Sequence, residues 1–284
     1  LNNFKNPYDI KISYEVFPPK GDGSEKKINT LIGEMDKLKK FSPERISVTY
    51  GAGGSNSKNS LEIARRIKNE LDIKAMPHFT CMCSSKQFIE GYIKEIEKEG
   101  FSEILALRGD KPKDIDACYN DFKYANELVE FLKEKTDLNI SVAGYPEKHQ
   151  DAKDIYTDIE NLKRKVDAGA KTIYTQLFFD NTNYYKYMQL VRDAGVEIPV
   201  IPGILPITSF SGLTRMVDMC GVVVPKSLIG RFEKYKDREK DTIELGIEFA
   251  TFQCQELMDS GVSGIHFYTL NKAHSTSEIL TNLL

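Results

Sequence analysis

Ile104-Leu105-Ala106-Leu107-Arg108-Gly109-Asp110 decides how this chain is read. The first four residues are an unbroken apolar run, the pattern of a strand covered on both faces. The run ends abruptly in a cation, a glycine and an acid. In a barrel of parallel strands, groups just past a strand's C-terminal end face the active-site mouth. There Arg108 would offer a planar fork of donors, Gly109 a close backbone approach, and Asp110 an acceptor for amino or ring N–H groups. An ordinary surface turn closed by an Arg–Asp pair is the other reading of the same residues.

The pattern of apolar run, polar end and amphipathic segment repeats on both sides of this stretch. Strands are expected at 10–17, 45–50, 74–80, 103–107, 139–144, 172–178, 199–204 and 264–268. The first is stopped by Pro18-Pro19, which cannot donate to a ladder. Helices are expected at 24–41, 57–71, 85–99, 124–135, 154–168, 183–194, 210–219, 227–235, 242–259 and 275–284. In the first of these Ile28, Leu31, Ile32, Met35 and Leu38 recur at helical spacing, and Ser85 opens the third as a cap. Eight strand–helix units with no Pro/Gly/Ser-rich hinge predict an α/β fold, a single (β/α)8 TIM barrel over 1–284 with an extra helix before strand eight. A doubly wound sheet is the rival. Its best support, Gly51-Ala52-Gly53-Gly54, lacks the glycine spacing of the dinucleotide fingerprint, so it reads as a turn approaching a ligand.

Size and composition narrow the function. A chain of 284 residues buries roughly 75% of its unfolded surface and needs no staples. Its net charge of −3, with no arginine-rich tract, argues against nucleic acid as a partner. No apolar run is long enough to span a membrane, and no leader is evident, although the chain begins at Leu1. Five scattered cysteines fit reduced thiols in a cytoplasmic protein. Cys81-x-Cys83 is read as packing along an extended segment, because no second pair completes a zinc site.

Polar groups gather at the predicted strand ends: Glu15, Thr49-Tyr50, His78, Arg108 to Asp110, Tyr145, Gln176 and Tyr268 to Asn271. Leaving so many unsatisfied would cost roughly 1–3 kcal/mol each. Glu15 stands within an apolar and aromatic strand, where loss of solvation suits a general acid. A structural Glu paired with a barrel cation is the competing account. No His, Asp, Glu and Cys grouping has metal-ligand spacing, and no serine sits in a nucleophile elbow. A rim rich in hydrogen-bonding groups but poor in nucleophiles and metal ligands points to a bound cofactor.

Nine segments in order resemble the bacterial methylenetetrahydrofolate reductase family. They are Ser13-Tyr14-Glu15-Val16-Phe17-Pro18-Pro19, Ser47 to Ala52, Pro77-His78-Phe79-Thr80-Cys81, Leu105 to Asp110 and Tyr145-Pro146-Glu147-x-His149. Asn161-Leu162-Lys163-Arg164-Lys165-x-Asp167-Ala168-Gly169, Thr175-Gln176-x-Phe178-Phe179-Asp180, Pro202 to Pro206 and Phe267 to Asn271 complete the set. The resemblance implies a flavoprotein barrel that reduces 5,10-methylenetetrahydrofolate to 5-methyltetrahydrofolate. Hydride would come from NADH or NADPH through FAD, in ping-pong order. Glu15 would be the acid that opens the methylene bridge, and Asp110 would hold the pterin and tune the flavin. Gln176 would touch folate or nicotinamide, Thr49 the flavin and donor, and Tyr145 and Lys272 the substrate. FAD would lie along Thr49, Tyr50, Ala52, His78, Arg108, Gly109, Asp110, Ala125, Tyr145, His149, Asp158, Asn161, Arg164 and Lys165. Without the resemblance, 161–165 reads as a solvated helix face. No metal is implied, and a homo-oligomer is expected.

Three positions depart from the family pattern. Lys272 replaces an Arg common after Thr-Leu-Asn, and Gly212 and Met216 stand where enteric enzymes carry Gln and Phe. These leave open an electron-donor partner protein in place of a nicotinamide, so a flavin-bearing electron-transfer or folate-binding subunit is the alternative reading.

Overall fold

The computed structural model describes residues 9–19, 24–50, 57–110 and 121–284. Its strands are β1 (Lys11–Val16), β2 (Arg45–Val48), β3 (Lys74–Thr80), β4 (Glu103–Leu107), β5 (Asn139–Gly144), β6 (Thr172–Leu177), β7 (Val200–Ile204) and β8 (Gly264–Tyr268). All pair in parallel and in sequence order, and β8 returns to β1, closing the barrel. Between them lie α1 (Glu25–Leu38), α2 (Ser57–Leu71), α3 (Lys86–Lys98), α4 (Ala125–Lys135), α5 (Ile155–Asp167) and α6 (Asn181–Asp193). Three helices follow β7: α7 (Phe210–Cys220), α8 (Lys226–Glu233) and α9 (Glu239–Asp259); α10 (His274–Leu283) follows β8.

The outer helices form because one stripe of each is apolar. In α1 the buried residues are Ile28, Leu31, Ile32, Met35 and Leu38, the spacing that faces one side of a helix. Met35 and Leu38 are fully covered, each contributing roughly 1.5–3 kcal/mol of transfer free energy. Side-chain oxygens of Ser85, Asp154, Asp180 and Ser209 accept first-turn amides of α3, α5, α6 and α7, fixing where those helices start. The long α9 packs beside α6 and α10 in the outer ring. All three helices expected between β7 and β8 are present, and with α9 in the outer ring α7 and α8 are the ones added to the barrel. They lie over the strand ends, where Leu213, Val222, Val224, Leu228 and Phe232 share a second small core with Leu177, Phe179 and Leu205.

Inside the barrel the layers differ in chemistry. Met76, Leu105, Tyr174 and Ile201 form a dry plug. Beneath it Arg45 meets Glu44 (2.9 Å), Glu103 (3.3 Å) and the Tyr174 hydroxyl (3.2 Å). Above it the inward positions turn polar and face the C-terminal mouth. The thiols of Cys81 and Cys254 are buried. Cys83 is disulfide-bonded, so the expectation of reduced thiols throughout does not hold there. The chain turns at Cys83, with φ of 62°, rather than running extended.

One irregularity shapes the mouth. Between β6 and β7 the register runs Tyr174↔Ile201 and then Leu177↔Gly203, three steps against two, which is a bulge at Thr175-Gln176. The freed Thr175 carbonyl accepts the Tyr268 hydroxyl at 2.7 Å, and the Gly203 amide donates to Thr175 Oγ1 at 2.9 Å. The Tyr268 ring reaches that carbonyl by crossing Gly203, where a Cβ would stand 2.6 Å from the ring and 2.3 Å from the Thr175 oxygen. Gly203→Ala is therefore expected to lose roughly 1–3 kcal/mol of stability, the usual cost of overpacking. Urea unfolding checks this; an unchanged midpoint would show that the bulge relaxes freely.

Candidate active site

β1 directs Ser13 and Glu15 inward at alternate positions, beside His266 and Tyr268 of β8. Glu15 Oε2 lies 3.7 Å from His78 Nε2 and 3.9 Å from His266 Nε2. The Ser13 hydroxyl and His266 Nδ1 are 2.8 Å apart, and the His266 ring meets Tyr174 and Tyr268 edge to face. His78 is buried, with no hydrogen-bond partner at Nε2. Burial pushes its pKa down to about 4; Glu15 opposes that shift and His266 adds to it. The imidazole is therefore neutral at pH 7, and Glu15 keeps neutral company on that side.

The turn after β8 anchors this strand. Thr269 Oγ1 donates to the Glu15 carbonyl at 2.8 Å. Asn271 Oδ1 accepts the Phe17 amide, and its Nδ2 donates to the Phe17 carbonyl. Leu270 and Asn271 hold φ of 50° and 60° to make these bonds. Thr269 and Asn271, read from sequence as rim groups, spend these bonds on β1. Lys272 is exposed and lies near Glu34 of α1, close enough to favour that carboxylate.

A second feature opens at the ends of β4 and β5. A groove of about 440 Å³ runs between α4 and α5, lined by Arg108, Ala125, Tyr145, His149, Asp158, Asn161, Arg164 and Lys165. Eight residues assigned separately to one cofactor thus line one wall. Arg108 binds Asp151 at 2.6 Å, and Arg164 donates to Asn161 Oδ1 at 3.0 Å. The His149 amide donates to Asp158 at 3.0 Å, while the ring stands edge-on to Tyr145. Lys165 donates to the Ala143 carbonyl at 2.6 Å. Burial pulls the Lys165 ammonium down to about 8 and pushes the Asp158 carboxyl up, outweighing their mutual attraction in both cases.

The groove joins the mouth at Tyr145, whose phenol is pushed up by burial, then by Asp158 and Asp110. Asp110 is exposed at the rim. Gln176 lies on the bulge, its Oε1 accepting the Leu177 amide. Thr49 is half-buried at the end of β2, donating its amide to Val16. Tyr50 does not line the groove; its ring is buried against Phe79 and Tyr92. His78 sits in the mouth beside Glu15 instead. Gly109, with φ of 83°, passes so close to Thr80 that a Cβ would stand 2.7 Å away. Ala52 lies outside the described residues. Sequence reasoning missed Asp151, Lys153 and Thr157 on the groove and Ser13 behind His266. Only the polar spacing of 149–154 hinted at the first two. Among the described residues no group of His, Cys, Asp and Glu converges as a metal site, and no helix is long and apolar enough to cross a membrane.

The family profile described as methylenetetrahydrofolate reductase matches residues 2–284. The chain belongs to the methylenetetrahydrofolate reductase family. It is 36% identical over 274 residues to the 5,10-methylenetetrahydrofolate reductase of Escherichia coli, covering 96% of this chain and 90% of that protein. It is also 36% identical to methylenetetrahydrofolate reductase (NADH) 1 of Arabidopsis thaliana, over 95% of this chain but only 48% of the plant protein. The chain thus spans about half the length of the plant members of the family. A Clostridium thermocellum protein that binds two copies of 5-methyl-5,6,7,8-tetrahydrofolic acid shares the fold, with a TM-score of 0.65 and 14% identity. Dihydropteroate synthase of Xanthomonas albilineans, in complex with 7,8-dihydropteroate, shares it at a TM-score of 0.53 and 10% identity.

His78 gives this member of the methylenetetrahydrofolate reductase family a pH signature. Its folded pKa lies below the unfolded value of 6.5, so the unfolded chain binds the extra proton first. The stability it contributes is present above pH 6.5 and is lost as pH falls toward about 4. His78→Asn should flatten the fall in unfolding free energy between pH 7 and pH 5 by about 1–2 kcal/mol. Urea titrations at both pH values decide it; equal slopes would mean that His78 protonates without cost.

Proposed function

We propose that the chain reduces 5,10-methylenetetrahydrofolate to 5-methyltetrahydrofolate, using non-covalent FAD and taking hydride from NADH or NADPH in ping-pong order. The observation that carries this reading is the groove of cations and amides opening at Tyr145 onto a mouth whose inner wall holds Glu15 between two imidazoles. The names of the Escherichia coli and Arabidopsis relatives support the substrate and NADH, respectively.

The residues present fit a flavin dinucleotide. Arg164 and Arg108 face the groove with donor forks suited to a diphosphate, and Asn161 and His149 add neutral polar groups. Thr80 Oγ1, buried and without a hydrogen-bond partner beneath Gly109, fits a ligand approaching that turn. When bound, FAD would supply the hydride carrier that no side chain of this chain can be.

The remaining work falls to the protein. N10 of the folate is a poor leaving group until protonated, so an acid must reach it as the methylene bridge opens. Glu15 is the carboxyl within the mouth, with a side chain 20% exposed. Its backbone is held by the closure of β1 on β8 and by Thr269, so the acid is positioned before substrate arrives. Asp110 on the rim would accept the pterin N–H edge, and Gln176, turned by the bulge, would meet whichever second ligand is present. Thr49 would contact the donor. Bridge opening leaves an N5 iminium; hydride addition to its methylene carbon gives the N5 methyl group, and the nicotinamide has lost that hydride.

Arg164→Ala is expected to weaken FAD retention about tenfold, the effect of losing one charge-assisted contact. Flavin content after gel filtration measures it, and full retention would return Arg164 to a solvated helix face. Glu15→Gln should keep FAD while slowing folate reduction by ~10²–10⁴, with flavin reduction by the donor changing far less. Anaerobic stopped-flow at the flavin band separates the two half-reactions. Equal losses in both would make Glu15 a structural residue. Bleaching of the wild type by neither NADH nor NADPH would move the donor to a partner protein.

A further inference from the structure

Glu147 belongs to the Tyr145-Pro146-Glu147-x-His149 segment, yet it does not line the cofactor groove. Its two oxygens point elsewhere. Oε1 accepts Nδ2 of Asn183 in α6 at 2.8 Å, and Oε2 accepts the Val223 amide just past α7 at 2.6 Å. Three residues on, Gln150 Nε2 donates to the Met219 carbonyl in the last turn of α7 at 2.9 Å. The Gln150 side chain lies against Gly221, where a Cβ would stand 2.8 Å from it. One loop therefore carries Tyr145 and His149 toward the groove and Glu147 and Gln150 toward α7.

What α7 does at that end gives the contact its meaning. Cys220, in the last turn of α7, packs against the same small core as Tyr268 and Leu270 of the β8 rim. It also lies near enough to Asp110 and Glu15 for both carboxylates to bear on its ionisation. The end of α7 is thus a roof over the inner carboxyl. On the β5 side Glu147 and Gln150 tie that roof down.

We infer that Glu147, seconded by Gln150, is a positioning residue that holds the α7 roof over the mouth and so sets the affinity of the second ligand, folate, rather than that of the flavin. The inference rests on the reductase reading for its ligand, but the contact itself does not. The flavin side of the loop is held separately, by His149 on Asp158 and Arg108 on Asp151. Loss of Glu147 should therefore loosen one face of the loop and spare the other. A carboxylate suits the task because it alone accepts on both oxygens. An amide at 147 would keep one acceptor and present its NH2 to a donor.

The test uses purified, FAD-loaded wild type, Glu147→Ala and Glu147→Gln. Hydrogen–deuterium exchange over 217–224 should be about tenfold faster in Glu147→Ala, with β5 and α5 unchanged. The KM for methylenetetrahydrofolate should rise about tenfold while kcat stays within about threefold, and flavin content should match wild type. Glu147→Gln should recover part of both losses. Unchanged exchange at 217–224 would overturn the contact as a tether. Faster exchange with an unchanged KM would overturn the positioning role, and a parallel loss of flavin would reduce Glu147 to a general support of the loop. If wild type itself turns over no methylenetetrahydrofolate, the proposed reaction fails, while the exchange measurement still decides the tether.

Discussion

The pairing of β8 with β1 is the constraint on which the rest of the site depends. A closed sheet leaves no strand edge, so β1 is paired along both of its sides, with β2 and with β8. Lys11 to Glu15 lie opposite Gly264 to Tyr268. This register puts Ser13 beside His266 and Glu15 beside Tyr268, and a slip of one residue would turn both polar side chains into the apolar layer outside. The Thr269 and Asn271 bonds extend the pairing past the end of each strand. Backbone geometry, not the imidazoles around it, aims the inner carboxyl.

Burial then sorts the charges. At the bottom desolvation opposes the charge of Arg45, yet Tyr174, Glu103 and Glu44 beside it raise its pKa. In the mouth the balance reverses: Glu15 does not offset the desolvation of His78. The groove wall repeats the second pattern at Lys165 and Asp158. Permanent positive charge is therefore carried by the guanidinium groups of Arg108 and Arg164, which cannot shed a proton. The guanidinium groups of the groove and the inner carboxyl of the mouth are kept in separate compartments that meet at Tyr145.

Periodicity resolved the architecture well, and for a physical reason. Lys74–Thr80, Glu103–Leu107, Asn139–Gly144 and Gly264–Tyr268 were readable end to end because each strand is covered on both faces. Helix starts were read less evenly: Ser85 was legible as the cap of α3, whereas the start of α6 was not. The α6 helix begins at Asn181, on the Asp180 cap, two residues before its apolar spacing becomes evident. The candidate site divides in the same way. Glu15 stood out alone in an apolar strand, whereas Asn161 to Lys165 read as a solvated face, and the structure lines a groove with Asn161, Arg164 and Lys165. Ser13 with His266, Arg108 with Asp151 and Glu147 with Val223 join residues far apart in the chain. Nothing in the local pattern of either partner names the other. Tyr50 differs again: it was read as a rim group at a strand end, and its ring packs against Phe79 and Tyr92.

The bulge at Thr175-Gln176 amounts to one residue of slack in the barrel wall. A chain one residue shorter there would pair evenly with β7, and the sheet would be more regular. The Thr175 carbonyl would then return to the ladder, the Tyr268 hydroxyl would have to seek another acceptor, and Gln176 would lose the offset that turns it. Regularity of the sheet and shape of the mouth are thus opposed at this point, and the chain resolves the conflict by length rather than by choice of side chain.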